Sequence, residues 1–220
     1  MYLVAQCWDD GVVNDIIVAD ICRKYNAKAT FNINPGKIAA DKRITGWVWS
    51  DFQVDYLSVQ EMLEHYKGFQ VASHTMTHPF PAQITPAKFR REAVDARKFI
   101  EDTFQQSAPG FAWPYGEFTP QCTAILAEEN FIYGRTVSRG FNSGRANPLT
   151  TPVNCHYLDC DFFDCLAKAK KDGVFYFWGH SYEMKDNPDL IARYDKIIQT
   201  ISADPEAEWV NVVDLFRQRQ

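Results

Sequence analysis

No apolar stretch in the chain approaches the ~20 residues that cross a bilayer. Met1-Tyr2-Leu3-Val4 leads straight into a strand-like run with no charged n-region or cleavage site. A membrane-spanning reading is excluded, no membrane partner is expected, and the chain as given is expected to be cytoplasmic. A basic stripe is lacking too: the net charge is -5, the pI is near 5.5, and Lys and Arg are scattered. That balance excludes a surface built for nucleic-acid phosphates. Cysteine is limited to six residues, and without a leader they are expected to stay reduced. Cys155, Cys160 and Cys165 stand five apart, a step that turns a helix by about 140° and matches no common zinc-ligand spacing. Histidine is scarce, five in all.

What is present is enough for a sizeable core: 220 residues, 46% hydrophobic, read as one domain over 1–220. Strand and helix patterns alternate. Apolar runs at Tyr2–Cys7, Lys28–Ile33, Phe69–Ser73, Gly110–Trp113, Phe131–Arg135, Val174–Trp178 and Trp209–Val212 read as strands. Helical spacing falls in Val12–Tyr25, Ser58–Tyr66 (Glu61 in capping-box register), Thr85–Phe104, Thr119–Asn130 and Leu190–Ile201. Proline follows the N-cap threonine at Pro86 and Pro120. Polar residues gather just past strand ends. The pattern predicts an α/β fold, a distorted (β/α) barrel of seven or eight mostly parallel strands with its site at the carboxyl rim; an open doubly wound sheet is the alternative.

Two segments break the alternation and read as long loops: Asp41–Asp55, with Trp47, Trp49 and Phe52, and Ser138–Leu158, rich in Asn, Gly and Pro. The Trp47 and Trp49 rings could offer flat faces to sugar rings, or pack over a barrel end.

The chemistry concentrates at strand ends. Asp9 and Asp10 close the first run, and His74 and His78 follow the third. One carboxylate with two imidazoles suits a borderline divalent ion such as zinc and leaves a coordination position open. Asp10, His74 and His78 are the expected ligands, with Asp9 left over as a base, the minimum equipment for metal-assisted hydrolysis. His65 reads as helix surface and His156 as loop.

The order Asp9-Asp10-Gly11, Ser73-His74-Thr75-Met76-Thr77-His78, Phe111-Ala112-Trp113-Pro114-Tyr115-Gly116, then a strand ending in His180, resembles the polysaccharide deacetylase family, the NodB-homology or carbohydrate esterase 4 group, over nearly the whole chain. The resemblance implies a distorted (β/α) barrel and removal of acetyl groups from N- or O-acetylated carbohydrate. It implies a divalent metal, zinc foremost with cobalt or nickel as substitutes. By position, Asp10, His74 and His78 would bind the metal, Asp9 would be the general base, His180 the general acid, and the backbone N–H of Tyr115 an oxyanion donor. Trp113, Pro114, Tyr115, Trp178 and Trp47 are expected to contact the substrate.

The departures are specific. The family's arginine before the Pro-Tyr turn is replaced by Ala112, so another group must orient Asp9, and Arg135 is the candidate. The Asp-and-Trp motif that tunes the acid histidine is not recognisable, and Asp159 or Asp161 is the expected stand-in for its carboxylate. Phe175-Tyr176-Phe177-Trp178-Gly179-His180-Ser181-Tyr182-Glu183 is longer and more aromatic than the family's last motif, as in a subgroup of small deacetylase-like proteins. Tyr182 and Glu183 either line the pocket or cap the next turn. Two other readings stay open: an amidohydrolase on a non-sugar, ureide-like amide, and a catalytically silent protein that keeps the metal and the sugar groove.

Overall fold

The computed structural model describes residues 1–141 and 147–217. Strands β1 (Tyr2–Asp10), β2 (Thr30–Ile33), β3 (Ile44–Trp49), β4 (Phe52–Tyr56), β5 (Gln70–Ser73), β6 (Gly110–Ala112), β7 (Tyr133–Arg139), β8 (Thr151–Val153), β9 (Cys155–His156), β10 (Val174–Gly179) and β11 (Ala207–Trp209) alternate with helices. The helices are α1 (Asp15–Lys24), α2 (Val59–His65), α3 (Pro86–Phe104), α4 (Pro120–Glu128), α5 (Phe162–Asp172) and α6 (Pro188–Ser202). The main sheet runs β8-β7-β6-β5-β2-β1-β10-β9, parallel throughout, with β11 beside the start of β1.

The two ends of that path are one stretch of chain. β8 and β9 are separated only by Asn154. Its N–H donates to the Tyr176 carbonyl at 2.7 Å, and its side-chain Oδ1 accepts from the Tyr176 N–H at 2.6 Å. One edge of this run pairs with β7 and the other with β10, so the sheet closes into a distorted (β/α) barrel and the open doubly wound sheet does not form.

Alternation along each strand sorts side chains into two cores. Tyr2, Val4 and Trp8 of β1, with Phe175 and Phe177 of β10, pack outward under α1, α2, α5 and α6. Ala5 and Cys7, with Tyr133 of β7, Val153 and Tyr176, fill the barrel. Inward residues two positions further along these strands are Asp9, Arg135 and Trp178, which therefore meet at one end of the barrel.

Helix starts follow their chemistry. Ser58 and Glu61 close a reciprocal capping box on α2, and Thr85 and Thr119 accept the N3 amides of α3 and α4, each with proline at the first turn. Such caps contribute about 1 kcal/mol each.

Several expectations are corrected. Residues 41–55 are not a loop: β3 and β4 form an antiparallel hairpin over the barrel rim. β4 alternates regularly, with Phe52, Val54 and Tyr56 toward the packed face and Gln53 and Asp55 between them, but β3 does not, because its register shifts between Thr45 and Val48. Within Ser138–Leu158 the structure finds the end of β7 and the closing strands β8 and β9, while residues 142–146 lie outside the described residues. Helix α5 was not anticipated, although Phe162, Leu166 and Ala169 are its buried stripe and Gly173 its left-handed cap. β1 continues through both aspartates. All six cysteines are free, and no helix of the described residues is long and apolar enough to cross a membrane.

Candidate functional site

The acidic pair shares one cavity because the backbone breaks its own alternation. Asp9 points into the barrel, so a regular strand would turn Asp10 to the opposite face. Asp10 instead takes a left-handed φ of 83°, and both carboxylates line the same cavity of 640 Å³. Non-glycine residues in that region mark strain held by the surroundings. Gly11 follows with φ 72°, and a Cβ there would lie 2.8 Å from Met62 Cε.

His74 and His78 arrive on a short irregular turn after β5, with Thr75 at φ 67° and His78 at φ 57°. The turn is fastened from several sides. Asn34 Nδ2 donates to the carbonyls of His74 and Thr75, the His78 N–H donates to Thr75 Oγ1 at 3.0 Å, and Glu92 of α3 accepts from the Thr77 N–H and hydroxyl, each at 2.8 Å.

The tautomer of His74 follows from its partner. Its Nδ1 lies 2.8 Å from the Ala112 carbonyl, which can only accept, so Nδ1 carries the proton and Nε2 presents its lone pair to the cavity. His78 Nε2 is 3.1 Å from His74 Nε2, and Asp10 Oδ1 lies 3.9 and 3.8 Å from the two nitrogens. Burial lowers the pKa of both imidazoles, that of His78 to about 2. Burial also raises the Asp10 carboxyl, against the pull of His180 and His74. Two imidazole nitrogens of low proton affinity and one carboxylate oxygen, all within 4.8 Å of one another, form a donor set that fits a divalent cation.

Asp9 is held differently. Arg135, 1% exposed, reaches both of its oxygens from Nη2 at 2.5 Å, and Asn32, its register partner on β2, donates to Oδ1 at 2.7 Å. Burial alone would raise its pKa, but Arg135, His74, His180 and the Asn32 hydrogen bond hold it well below the ordinary carboxylate range. The guanidinium in turn lies 5.0 Å over the Trp178 ring. One aspartate thus faces the imidazoles and the other is clamped by an arginine.

His180 directly follows β10, level with Asp9 on the neighbouring strand β1, stacked at 4.9 Å on Tyr182 and 5.0 Å from Trp178. Its carboxylate neighbour is Glu183, not Asp159 or Asp161. Glu183 Oε1 is 3.5 Å from His180 Nδ1, whereas Asp159 and Asp161 pair with Arg139 outside the cavity. Glu183 both caps the turn, accepting the His180 N–H at 3.3 Å, and contacts His156, whose Nε2 is 3.3 Å away. Burial would raise Glu183, but His156 and His180 bring it down to about 2, and these carboxylates outweigh burial to raise His180.

The walls are aromatic: Trp47 and Trp49 from the hairpin, Tyr56, Tyr115, Trp178 and Tyr182. Trp47 and Trp49 each lie edge-on to Tyr182, at 5.2 and 5.1 Å. Tyr115, at φ 59°, stacks on Phe80 at 3.7 Å and meets the His78 ring at 4.5 Å. Of the expected substrate contacts, Trp113 lines the cavity although it is fully buried, with its indole N–H donated to the Leu149 carbonyl at 2.8 Å. Pro114 is buried in its turn and does not line the cavity. The sequence reading missed Asn32, an amide inside an apolar strand, Tyr56, and Lys37, a half-buried cation on the cavity wall whose amine is lowered by burial despite Asp10 and Glu92.

Residues 2–133, more than half of the chain, match the family model for polysaccharide deacetylases. YxkH of Bacillus subtilis (strain 168), which is named as a polysaccharide deacetylase, is 23% identical over 134 residues, covering 60% of this chain and 44% of that protein. The chain thus spans less than half the length of this curated relative. Among solved structures, the Xyl-CE4 domain of a multidomain xylanase from the hindgut metagenome of Trinervitermes trinervoides superposes with a TM-score of 0.62 at 18% identity, covering 98% of this chain and 89% of that one. A family 4 acetyl xylan esterase from Clostridium thermocellum, in complex with a cobalt ion, gives 0.60 at 19% identity, covering 97% and 90%. These likenesses establish the fold, and the match of the family model over residues 2–133 establishes membership: the chain belongs to the polysaccharide deacetylase family.

Proposed function

We propose that the chain is a metal-dependent hydrolase that removes acetyl groups from an N- or O-acetylated carbohydrate. The observation that carries this reading is the division of labour between adjacent aspartates. Asp10 Oδ1 lies within 4 Å of the Nε2 atoms of both His74 and His78, while Asp9, 3.8 Å from His74 Nε2 alone, has its oxygens engaged by Arg135 and Asn32.

A divalent ion held by Asp10, His74 and His78, zinc foremost with cobalt or nickel as substitutes, would polarise the acyl carbonyl and acidify the attacking water. Asp9, fixed beside it, receives the proton released as attack proceeds. Arg135 makes Asp9 a weak base, and the acidity that the ion would lend the attacking water is what would let so weak a base take the proton. The Tyr115 amide, on a turn against His78, is the donor offered to the developing oxyanion. His180, on the strand next to Asp9 and kept protonated by Glu183, gives its proton to the leaving amine or alcohol. Trp47, Trp49, Tyr56 and Trp178 supply apolar faces for the sugar ring, and a 640 Å³ cavity is within the size range of small-ligand sites. A protein that only held metal and sugar would need neither the Arg135–Asp9 clamp nor the Glu183–His180 contact.

The test is acetate release from chitooligosaccharides and acetylated xylan with added zinc, with Asp9→Asn as control. Acetate release that disappears in the variant supports the proposal. Ammonia release from a ureide without acetate release would move the assignment to amide hydrolysis of a non-sugar. Sugar binding without turnover, unaffected by Asp9→Asn, would make the protein a binder.

A further inference from the structure

His156 lies in the segment that closes the barrel, on β9, and has no place in the chemistry above. Its surroundings are nevertheless specific. The Leu158 backbone N–H donates to His156 Nδ1 at 3.2 Å, so that nitrogen carries no proton and the neutral ring must be protonated at Nε2. Nε2 points at Glu183 Oε2, 3.3 Å away. The same Oε2 accepts the His180 backbone N–H at 3.3 Å. The other oxygen, Oε1, lies 3.5 Å from His180 Nδ1, a buried nitrogen with no hydrogen-bond partner of its own among the described residues. The Trp178 ring packs against both imidazoles, 4.8 Å from His156 and 5.0 Å from His180, and limits their rotation.

We propose that His156 is a positioning residue: as the Nε2–H tautomer it locks the Glu183 carboxylate in the one rotamer that holds His180 with Nδ1 toward Glu183 and Nε2 toward the cavity. The inference rests on the reading of His180 as the proton donor. It adds a component the family pattern did not supply, since the carboxylate expected from Asp159 or Asp161 is here a glutamate three residues after the acid histidine, and such a short tether leaves the carboxylate rotamer to be fixed from outside. A carboxylate free to rotate would leave His180 with two ring orientations and two tautomers, only one of which presents a proton to the leaving group.

The test compares His156→Phe, which keeps a ring against Trp178 but has no donor, with His156→Gln, whose amide nitrogen can reach the position of Nε2. In His156→Phe, kcat for acetate release should fall by about ten-fold or more, while KM and bound metal stay unchanged, and His156→Gln should restore most of it. His156→Phe added to Glu183→Gln should cause no further loss. Equal losses in His156→Phe and His156→Gln, or a loss in KM alone, would overturn the inference. A second measurement is independent of turnover: long-range ¹H–¹⁵N spectra of the whole protein should show His156 protonated at Nε2 only, and His180 ring shifts that move in His156→Phe but not in His156→Gln. A proton on His156 Nδ1, or a His180 ring blind to both substitutions, overturns it even if wild-type protein releases no acetate. That last result would instead count against the deacetylase reading.

Discussion

His74 donates its Nδ1 proton to the backbone carbonyl of Ala112 across 2.8 Å. The residue that replaces the family's arginine therefore contributes its main chain, fixing the ring whose other nitrogen faces the cavity. With only a methyl at Ala112, the guanidinium that reaches Asp9 comes from the next strand, where Arg135 is the register partner of Ala112. The arginine has moved by one strand and kept its target.

Arg135 and Asp9 are both nearly inaccessible, so removing one leaves an uncompensated buried charge. Arg135→Met should destabilise the fold by about 3–5 kcal/mol, as buried pairs do when one partner is lost, measured by urea unfolding at neutral pH. A loss below about 1 kcal/mol, the worth of an exposed pair, would mean that Asp9 is not held by this contact.

Asp9→Asn keeps the size of the side chain and the three groups facing the cavity centre. Acetate release should fall by about 10² to 10⁴, the usual contribution of a general base, with bound metal unchanged. Retention of most of the rate would refute Asp9 as base, and loss of the metal would show that Asp9 is a ligand.

Glu183 has a folded pKa of about 2 against an ordinary 4.5. A depressed carboxylate contributes stability that is fully present above its unfolded pKa and is lost as pH falls through the folded one. The stability difference between wild type and Glu183→Gln should therefore be largest between about pH 4.5 and 6.5, shrink as pH rises through the raised pKa of His180, and shrink on the acid side between about 4.5 and 2. Urea unfolding across this window checks the sign, and a difference that grows on acidification below about pH 4.5 would contradict the assigned contacts.

Trp47 stands on the β3–β4 hairpin and braces Tyr182 edge-on. Trp47→Ala should weaken substrate binding by ~1 kcal/mol, roughly five-fold in KM, with kcat little changed, the signature of lost uniform binding. A fall in kcat with KM unchanged would instead place the hairpin in the chemistry.

Much of this architecture is legible in the chain because its signals are local. Threonine caps with proline behind them mark two helix starts and the Ser58–Glu61 capping box a third, and strand ends carry the aspartates and histidines. The closure by β8, Asn154 and β9 is not legible, since two short strands joined by one asparagine leave no periodicity. Nor is the hairpin at 44–56, whose first strand loses its alternation at the register shift between Thr45 and Val48. At the site, Arg135 could be anticipated from the missing arginine. Asn32 and His156 could not, because each acts through a neighbour across the sheet or the turn, at sequence separations of 23 residues to Asp9 and 27 to Glu183. The strained φ of Asp10, which brings both carboxylates to one cavity, has no sequence signature beyond the glycine that follows it.

The account depends most directly on Asp10, His74 and His78 sharing one ion. Elemental analysis and metal titration of wild type, Asp10→Ala and His78→Ala measure this without reference to any substrate. The expected result is one tightly bound divalent ion per chain in the wild type and none in either variant, with all three proteins folded. A wild type that binds no stoichiometric metal, or variants that keep it, would contradict the account.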